Sequence, residues 1–483
     1  MALSGSVSTG DYQGRYLKLS WTATQDVSTN KSTISWTLKG AGTASSSWYM
    51  AGNFTVVIGG TTVYDKDSDY RIKLYNGTKV ASGTTTISHG TDGKKSFSVS
   101  VKAGIYTYAK NVSGSKTFTL DTIPRAATIS SAPNFNDESN PVLTYSNPAG
   151  SAVSSLQACI ANSDGSTIYA AYRDITKTGT SYTFNLTDTE RTALRKACAS
   201  ANSMTVRFYV KTVIGGETFR KYSAKTLSII NATPTLSPTV VDTDSKMIEL
   251  TGSSSKIVRY FSDVKVTIGA AAKKEATVSS KSCVNGSTTK TADGTFSNIT
   301  SNSFVFSVKD SRGNTASKTL TPTMVNYVKL TCAVKDLKVS TGGVMNFSVE
   351  GNCFNGSFGA VTNTLAIQYR YKAEGGTYSD WITTTATKSG NTYSASGTVS
   401  GLDYKSTYVF QARAADSIYD GTYQNMISTS EKRISAKPVY HWSGEDFAIE
   451  VPVSLFILQS PNGTNYQITV NDSGGLVSTA ITI

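Results

Sequence analysis

Catalysis and metal binding both need titratable groups that converge, and this chain supplies few. Its two histidines, His89 and His441, lie in opposite halves of the sequence, and neither stands beside a plausible Ser or Cys nucleophile. Ser-His-Asp and Cys-His chemistry is therefore not expected. The five cysteines (Cys159, Cys198, Cys283, Cys332 and Cys353) are far apart and form no CxxC pair, so zinc-type spacing is absent. Free buried thiols made in a reducing compartment are the expectation, with a Cys332–Cys353 bridge across neighbouring strands as the alternative. Asp65, Asp67 and Asp69 form the densest acidic cluster, and glycoside hydrolysis would need two such carboxylates. Their spacing loosely matches a calcium loop, but the glycine and the terminal bidentate glutamate are missing. A solvated turn is the expected role. Glu445 and Asp446 read as a turn, and the glycines sit in hairpins rather than in a phosphate-binding loop. The sequence thus points to a protein that is not an enzyme and carries no cofactor or metal.

Aromatic residues offer a different chemistry, the stacking of sugar rings. Trp21 and Trp36 lie in alternating segments and read as core. Trp48, next to Tyr49 and Met50 in a Ser-rich stretch, is the candidate exposed aromatic, so Trp48 and Tyr49 are the candidate carbohydrate or receptor contacts. Net charge is +13, and the first 123 residues hold 13 Lys and Arg against 7 Asp and no Glu. The bases are scattered singly and no nucleic-acid-binding module is visible, so nucleic acid is not an expected partner. Acidic cell-wall polymers, or an acidic partner subunit, fit this charge better. No stretch approaches the roughly 20 apolar residues of a membrane span, and the opening Met-Ala-Leu-Ser-Gly-Ser-Val lacks the basic and apolar regions of a signal peptide.

These groups must be positioned by strands. Only 16% of residues are charged, while Ser, Thr, Gly and Asn abound beside 26 Tyr and 17 Phe. That balance suits many short strands joined by turns. Tyr16-Leu-Lys-Leu-Ser-Trp21 and Thr33-Ile-Ser-Trp-Thr-Leu38 alternate with period two, and further strands are expected at 53–58, 70–74, 79–87, 96–101 and 115–120. The fold class is all-β: tandem antiparallel β-sandwiches of immunoglobulin-like and fibronectin type III-like kind. Expected domains cover residues 1–123, 126–231, 232–325 and 326–437, with a C-terminal β element over 438–483. One short helix is expected at about 188–199. Thr187-Asp-Thr-Glu190 is a capping box, and Leu194, Ala197 and Cys198 share a face. Val308-Lys-Asp-Ser311 and Ala414-Ala-Asp-Ser417 repeat a strand followed by Asp-Ser and a turn. Leu402 stands six residues before Tyr408, which resembles the tyrosine corner of fibronectin type III domains, and Tyr369-Arg-Tyr371 and Trp381 fit its earlier strands.

The C-terminal element is the strongest pointer to function. Phe447, Ile449, Val451, Val453, Leu455, Phe456, Ile457 and Leu458 belong to one nearly unbroken apolar run, followed by a turn at Ser460-Pro-Asn-Gly-Thr-Asn-Tyr466 and a second strand. A two-stranded element cannot bury such faces alone, and Pro452 favours an edge or a bend. Oligomerisation or docking through these residues is expected.

Several segments resemble the minor structural and tail-fibre proteins, associated with the baseplate, of long-tailed phages that infect Gram-positive bacteria. They are Ala127-Thr-Ile-Ser-Ser-Ala-Pro-Asn-Phe-Asn-Asp-Glu-Ser-Asn-Pro141, Leu143-Thr-Tyr-Ser-Asn-Pro148, Thr178-Gly-Thr-Ser-Tyr-Thr-Phe-Asn-Leu186, His89-Gly-Thr-Asp-Gly-Lys-Lys95, Asp121-Thr-Ile-Pro-Arg125 and His441-Trp-Ser-Gly-Glu-Asp-Phe-Ala-Ile-Glu-Val-Pro-Val453. Ser460-Pro-Asn-Gly-Thr-Asn-Tyr466 is similar to the end of such subunits. The resemblance implies a virion tail component assembled in the host cytoplasm. Its implied partners are other tail and baseplate proteins, further copies of itself as a trimer, and host cell-wall polysaccharide. In longer relatives the Val-Pro-Val element leads into a receptor-binding domain, but here only about 30 residues follow Val453. Any cell-surface contact is therefore expected from the sandwich loops. The alternatives are a dedicated receptor- or carbohydrate-binding protein and a bacterial surface adhesin.

Overall fold

A computed structural model describes residues 2–42, 49–340, 342–403, 406–419, 426–435, 439–442, 447–450, 456–470, 473 and 475–481. The fold is all-β, a tandem series of antiparallel β-sandwiches. Two compact units divide the chain. Met1–Pro234 with Ala272–Val278 and Asp310–Asn314 form one, and Thr235–Ala271, Ser279–Lys309 and Thr315–Ile483 form the other.

In the first unit, strand Tyr16–Asp26 pairs along its whole length with Lys31–Ala41, placing Trp21 opposite Trp36. Leu17, Leu19, Ile34 and Leu38 alternate into the core, as the period-two pattern requires. Both tryptophans are core residues, and Trp21 packs edge-on to Phe97 and Phe118 with ring centroids 5.2 and 5.0 Å away. The facing sheet is built from Tyr49–Ile58, Thr61–Asp65, Arg71–Leu74, Ser96–Ile105 and Lys110–Thr119. The same unit holds a second sandwich, whose larger sheet runs in the order Phe135–Asn136, Glu217–Ser228, Ser203–Ile214, Ser155–Asn162, Ile168–Asp174. Helix Asp188–Ala197 closes it with the expected capping box: the Thr187 hydroxyl accepts from the Glu190 N–H, and Glu190 Oε2 accepts from the Thr187 N–H at 2.9 Å. Leu194 and Cys198, one helical turn apart, face the core, but Ala197 is exposed. Ala197 is the last residue of the helix and lies at the edge of the face that Leu194 and Cys198 define.

In the second unit, one core gathers Ile257, Val264, Val266, Cys283, Phe296, Phe304 and Phe306, and another gathers Met345, Phe347, Ile367, Tyr369 and Phe410. The Tyr408 hydroxyl accepts from the Asp403 N–H at 2.9 Å, so the tyrosine corner is present. A second α-helix, Ser245–Thr251, corrects the expectation of a single one. The Asp244 carboxylate caps its start by accepting from the Met247 N–H, and Gly252 at φ +72° ends it. Seven residues are too few to display a helical period, so only the two caps announced it. All five cysteines are free thiols, with no Cys332–Cys353 bridge.

Candidate functional site

Trp48 lies outside the described residues. Tyr49 does not present its ring: it is 2% exposed and its hydroxyl donates to the Tyr16 carbonyl at 3.1 Å. It points inward with Ala51 at the start of strand Tyr49–Ile58, and a bulge between Gly52 and Thr55 then shifts the parity so that Phe54 and Val56 point inward as well, so Tyr49 cannot stack on a sugar. The acidic cluster is spent locally. Asp67 Oδ1 accepts from the Asp69 and Tyr70 N–H groups, and Asp65 accepts from the Thr55 hydroxyl at 2.9 Å.

Folding does create a Ser–His pair that separation in sequence had hidden. The Ser32 hydroxyl and His89 Nε2 are 2.7 Å apart, and His89 Nδ1 lies 2.7 Å from the Gly93 carbonyl. A carbonyl only accepts, so Nδ1 carries the proton and Nε2 accepts from Ser32. The pair looks like a nucleophile and its base, but Ser32 is wholly buried in a strand and the third group is a neutral carbonyl, not a carboxylate. Its evident role is to lock the His89-Gly-Thr-Asp-Gly93 turn. Removing the imidazole in His89→Ala takes the acceptor from the buried Ser32 hydroxyl and one of two donors from the Gly93 carbonyl, which keeps the Ile123 N–H. A loss of about 2 kcal/mol is expected, measurable by urea unfolding.

Two side-chain clusters, one in each unit, are the most elaborate constellations among the described residues. In the first unit, the fully buried Asp137 carboxylate accepts from Arg195 Nε at 2.7 Å, Lys274 Nζ at 2.8 Å and the Ile230 N–H at 3.0 Å. Burial alone would raise this carboxyl. Lys274, the Ile230 amide and Arg195 outweigh it and hold Asp137 below the usual carboxylate range. Lys274 also bonds Glu138, which it holds below that range too. Arg312 completes the cluster from the turn Asp310–Asn314. Its guanidinium donates to the carbonyls of Cys198 (2.9 Å), Lys273 (3.0 Å), Arg195 (3.2 Å) and Lys274. A buried cation therefore satisfies the last carbonyls of helix Asp188–Ala197 and opposes the negative end of its dipole.

The second unit repeats the device in apolar form. Met247 and Leu250 of helix Ser245–Thr251 pack with Val258, Tyr327, Phe358 and Ile418. The Ala360 and Val361 N–H groups each donate to the Leu250 carbonyl at 3.1 Å. The Tyr327 hydroxyl donates to Asp416 Oδ2 at 2.6 Å. Here the Asp-Ser repeat acquires a meaning. Asp310 and Asp416 are both buried, and each accepts from the amide two residues on, Arg312 and Ile418. The residue so aimed is the one that enters the cluster.

The C-terminal element is strand-rich but differs from a single run followed by one strand. Val439–Trp442 pairs antiparallel with Phe447–Glu450, setting Trp442 opposite Phe447 and Tyr440 opposite Ile449. Phe456–Gln459, Asn465–Val470 and Leu476–Ile481 then form a three-stranded meander, with Phe456 opposite Ile468 and Ile457 opposite Gln467. Val451, Val453 and Leu455 lie outside the described residues. No residue of the meander whose burial is described is buried, and Leu458 and Leu476 are 53% and 77% exposed.

One further arrangement was invisible in the sequence. Trp381 lies between two guanidiniums, with Arg370 4.5 Å and Arg413 4.0 Å from its ring. Gln411 and Gln368 supply the acceptors for these arginines, so the ladder is internally satisfied.

No known family's profile matches the chain, and no curated protein matches it. Similar solved structures are multidomain fragments. They include the complex of Dpr2 Ig1-Ig2 with DIP-Theta Ig1-Ig3 (7% identity, TM-score 0.26, covering 64% of this chain and 98% of that one). A titin I67-I69 variant of three immunoglobulin domains shows 9% identity and a TM-score of 0.28 over 64% of this chain and 97% of its own. The FN1-FN3 domains of chicken CNTN1 show 12% identity and a TM-score of 0.17 over 65% and 98%. Likenesses this low carry no argument about function, and the sandwich assignment rests on the strand pairing itself.

Proposed function

We propose that the chain is a structural subunit of a bacteriophage tail, a tail-fibre or baseplate-tip component built from tandem β-sandwiches. Its polar networks lock turns, which is what an architectural role asks of a sandwich array. The segments that resemble those of phage minor structural proteins, such as residues 127–141 and 178–186, supply the virion context. The observation that carries the reading is the meander Phe456–Ile481: three paired strands whose described side chains are all at least partly exposed, with Leu458 and Leu476 on the surface. Such a sheet needs a further surface to cover it. Copies of the same chain, as a trimer, and neighbouring tail proteins are the proposed partners.

Deleting residues 440–483 and measuring mass by light scattering tests the assembly role. The full chain is expected to be oligomeric and the truncated chain monomeric; an oligomer that survives deletion overturns it. Labelling intact virions with antibody to this chain tests the location, and decoration anywhere but the tail tip removes the fibre reading.

A further inference from the structure

The outward face of the larger sheet in the second sandwich carries a cationic patch in which Arg207 donates to the Tyr209 hydroxyl at 3.2 Å, while the Lys211 and Arg220 side chains have no acceptor among the described residues. Positions 207, 209 and 211 of strand Ser203–Ile214 share this face with 220 and 222 of Glu217–Ser228, because alternate residues point the same way. Register sets Tyr209 opposite Tyr222 and Lys211 opposite Arg220. Tyr172, from the far strand Ile168–Asp174, lies beneath both cations, with Lys211 Nζ 4.6 Å and the Arg220 guanidinium 5.8 Å from its ring. Arg207 covers Tyr222 at 4.1 Å.

Like charges directly opposite on a sheet are destabilising. Some cations of this chain are answered, as Arg370 and Arg413 are by glutamine acceptors and Lys274 by two carboxylates, whereas Lys18 and Lys39 form another directly opposed pair, one without an aromatic ring beneath it among the described residues. Lys211 and Arg220 make neither a hydrogen bond nor an ion pair among the described residues. Asp164 acts on Arg207, while Asp174 is three strands from Arg220 and accepts from Gln157 at 3.0 Å. An anion bridging Lys211 and Arg220 is the missing partner.

We infer that this face binds an acidic polysaccharide, with a sugar carboxylate between Lys211 and Arg220 and a sugar ring against Tyr222. Tyr222 is 55% exposed, so it offers a surface despite the guanidinium on one side. The alternatives fit less well. Single-stranded nucleic acid needs a succession of open ring faces on which bases stack, and here Tyr172 lies under two cations, which leaves the outer side of Tyr222 alone among the rings named. An acidic protein would need a dry apolar centre, which a face of tyrosine, lysine and arginine lacks. Burial and the neighbouring Cys159 thiol push the Tyr172 hydroxyl up to about 12.

The test is binding of the full chain to polygalacturonate, with neutral dextran, polyphosphate and polythymidylate as comparisons. Polygalacturonate is expected to bind and dextran not. The double variant Lys211→Gln/Arg220→Gln should bind about tenfold more weakly, since two charge-assisted contacts are lost. Lys221→Gln/Lys225→Gln removes the same charge from the opposite parity of the same strand and should leave binding unchanged. Both variants should stay folded, and Lys211→Gln/Arg220→Gln should have a Tm no lower than that of the wild type, since it removes a directly opposed like-charge pair. Absence of polygalacturonate binding, equal loss in the two variants, or equal or tighter binding of polyphosphate or polythymidylate overturns the inference. This outcome is separate from that of the 440–483 truncation, so either proposal can fail alone.

Discussion

Asp137→Ala is expected to destabilise the first unit by about 3–5 kcal/mol, because it strips a buried charge cluster of its only fully buried member. Arg195 and Lys274 would then face each other across the vacated site, and the Ile230 N–H would lose its acceptor. The readout is the urea midpoint of the transition that contains helix Asp188–Ala197, with hydrogen exchange of its amides as a local check. Acidification should act on the same group. Asp137 and Glu138 both titrate below the ordinary carboxylate range. Their stabilisation is thus fully present above the unfolded-state value of about 4 and is lost as pH falls through the lower folded-state values. Wild-type stability should therefore drop below about pH 4 more steeply than that of Asp137→Asn, which has no proton to take up at this position. Parallel pH profiles for the two would show that the cluster holds little of the unit together.

How much of this was legible in the sequence depends on the range of the interaction. Local devices were readable. The Thr187–Glu190 box, the period-two strands around Trp21 and Trp36, and the Leu402/Tyr408 corner each lie within a few residues and leave a spacing. The Asp-Ser repeat was also visible, but not its use, since nothing near Arg312 or Ile418 in sequence says which surface each meets. Tyr49 follows a Ser-rich stretch that suggests a loop, whereas it lies in strand Tyr49–Ile58 with its ring buried. Cross-strand relations were closed to sequence altogether. Ser32 finds His89, and Lys211 finds Arg220 and Tyr172, through register between strands, and periodicity fixes a face without fixing its neighbour.

The cluster in the second unit should respond to Tyr327→Ala with a loss of about 3–5 kcal/mol, the range for emptying a large aromatic site. Tyr327 is 1% exposed. It meets Phe261 edge-on at 5.2 Å, lies 5.6 Å from Phe354 and stacks on Phe358 at 6.1 Å. Its side chain thus joins residues of helix Ser245–Thr251 to Ile418, which the Asp416 turn aims into the cluster. Tyr327→Phe separates the two contributions: it keeps the ring, loses the hydroxyl with its 2.6 Å bond to Asp416 and should cost about 1–2 kcal/mol. If the cluster couples the sandwiches on either side, the wild type melts them in one transition and Tyr327→Ala resolves two in calorimetry. A single transition shifted to lower temperature would instead mean that the ring stabilises one sandwich and the coupling lies elsewhere, in the amides that Ala360 and Val361 direct at Leu250.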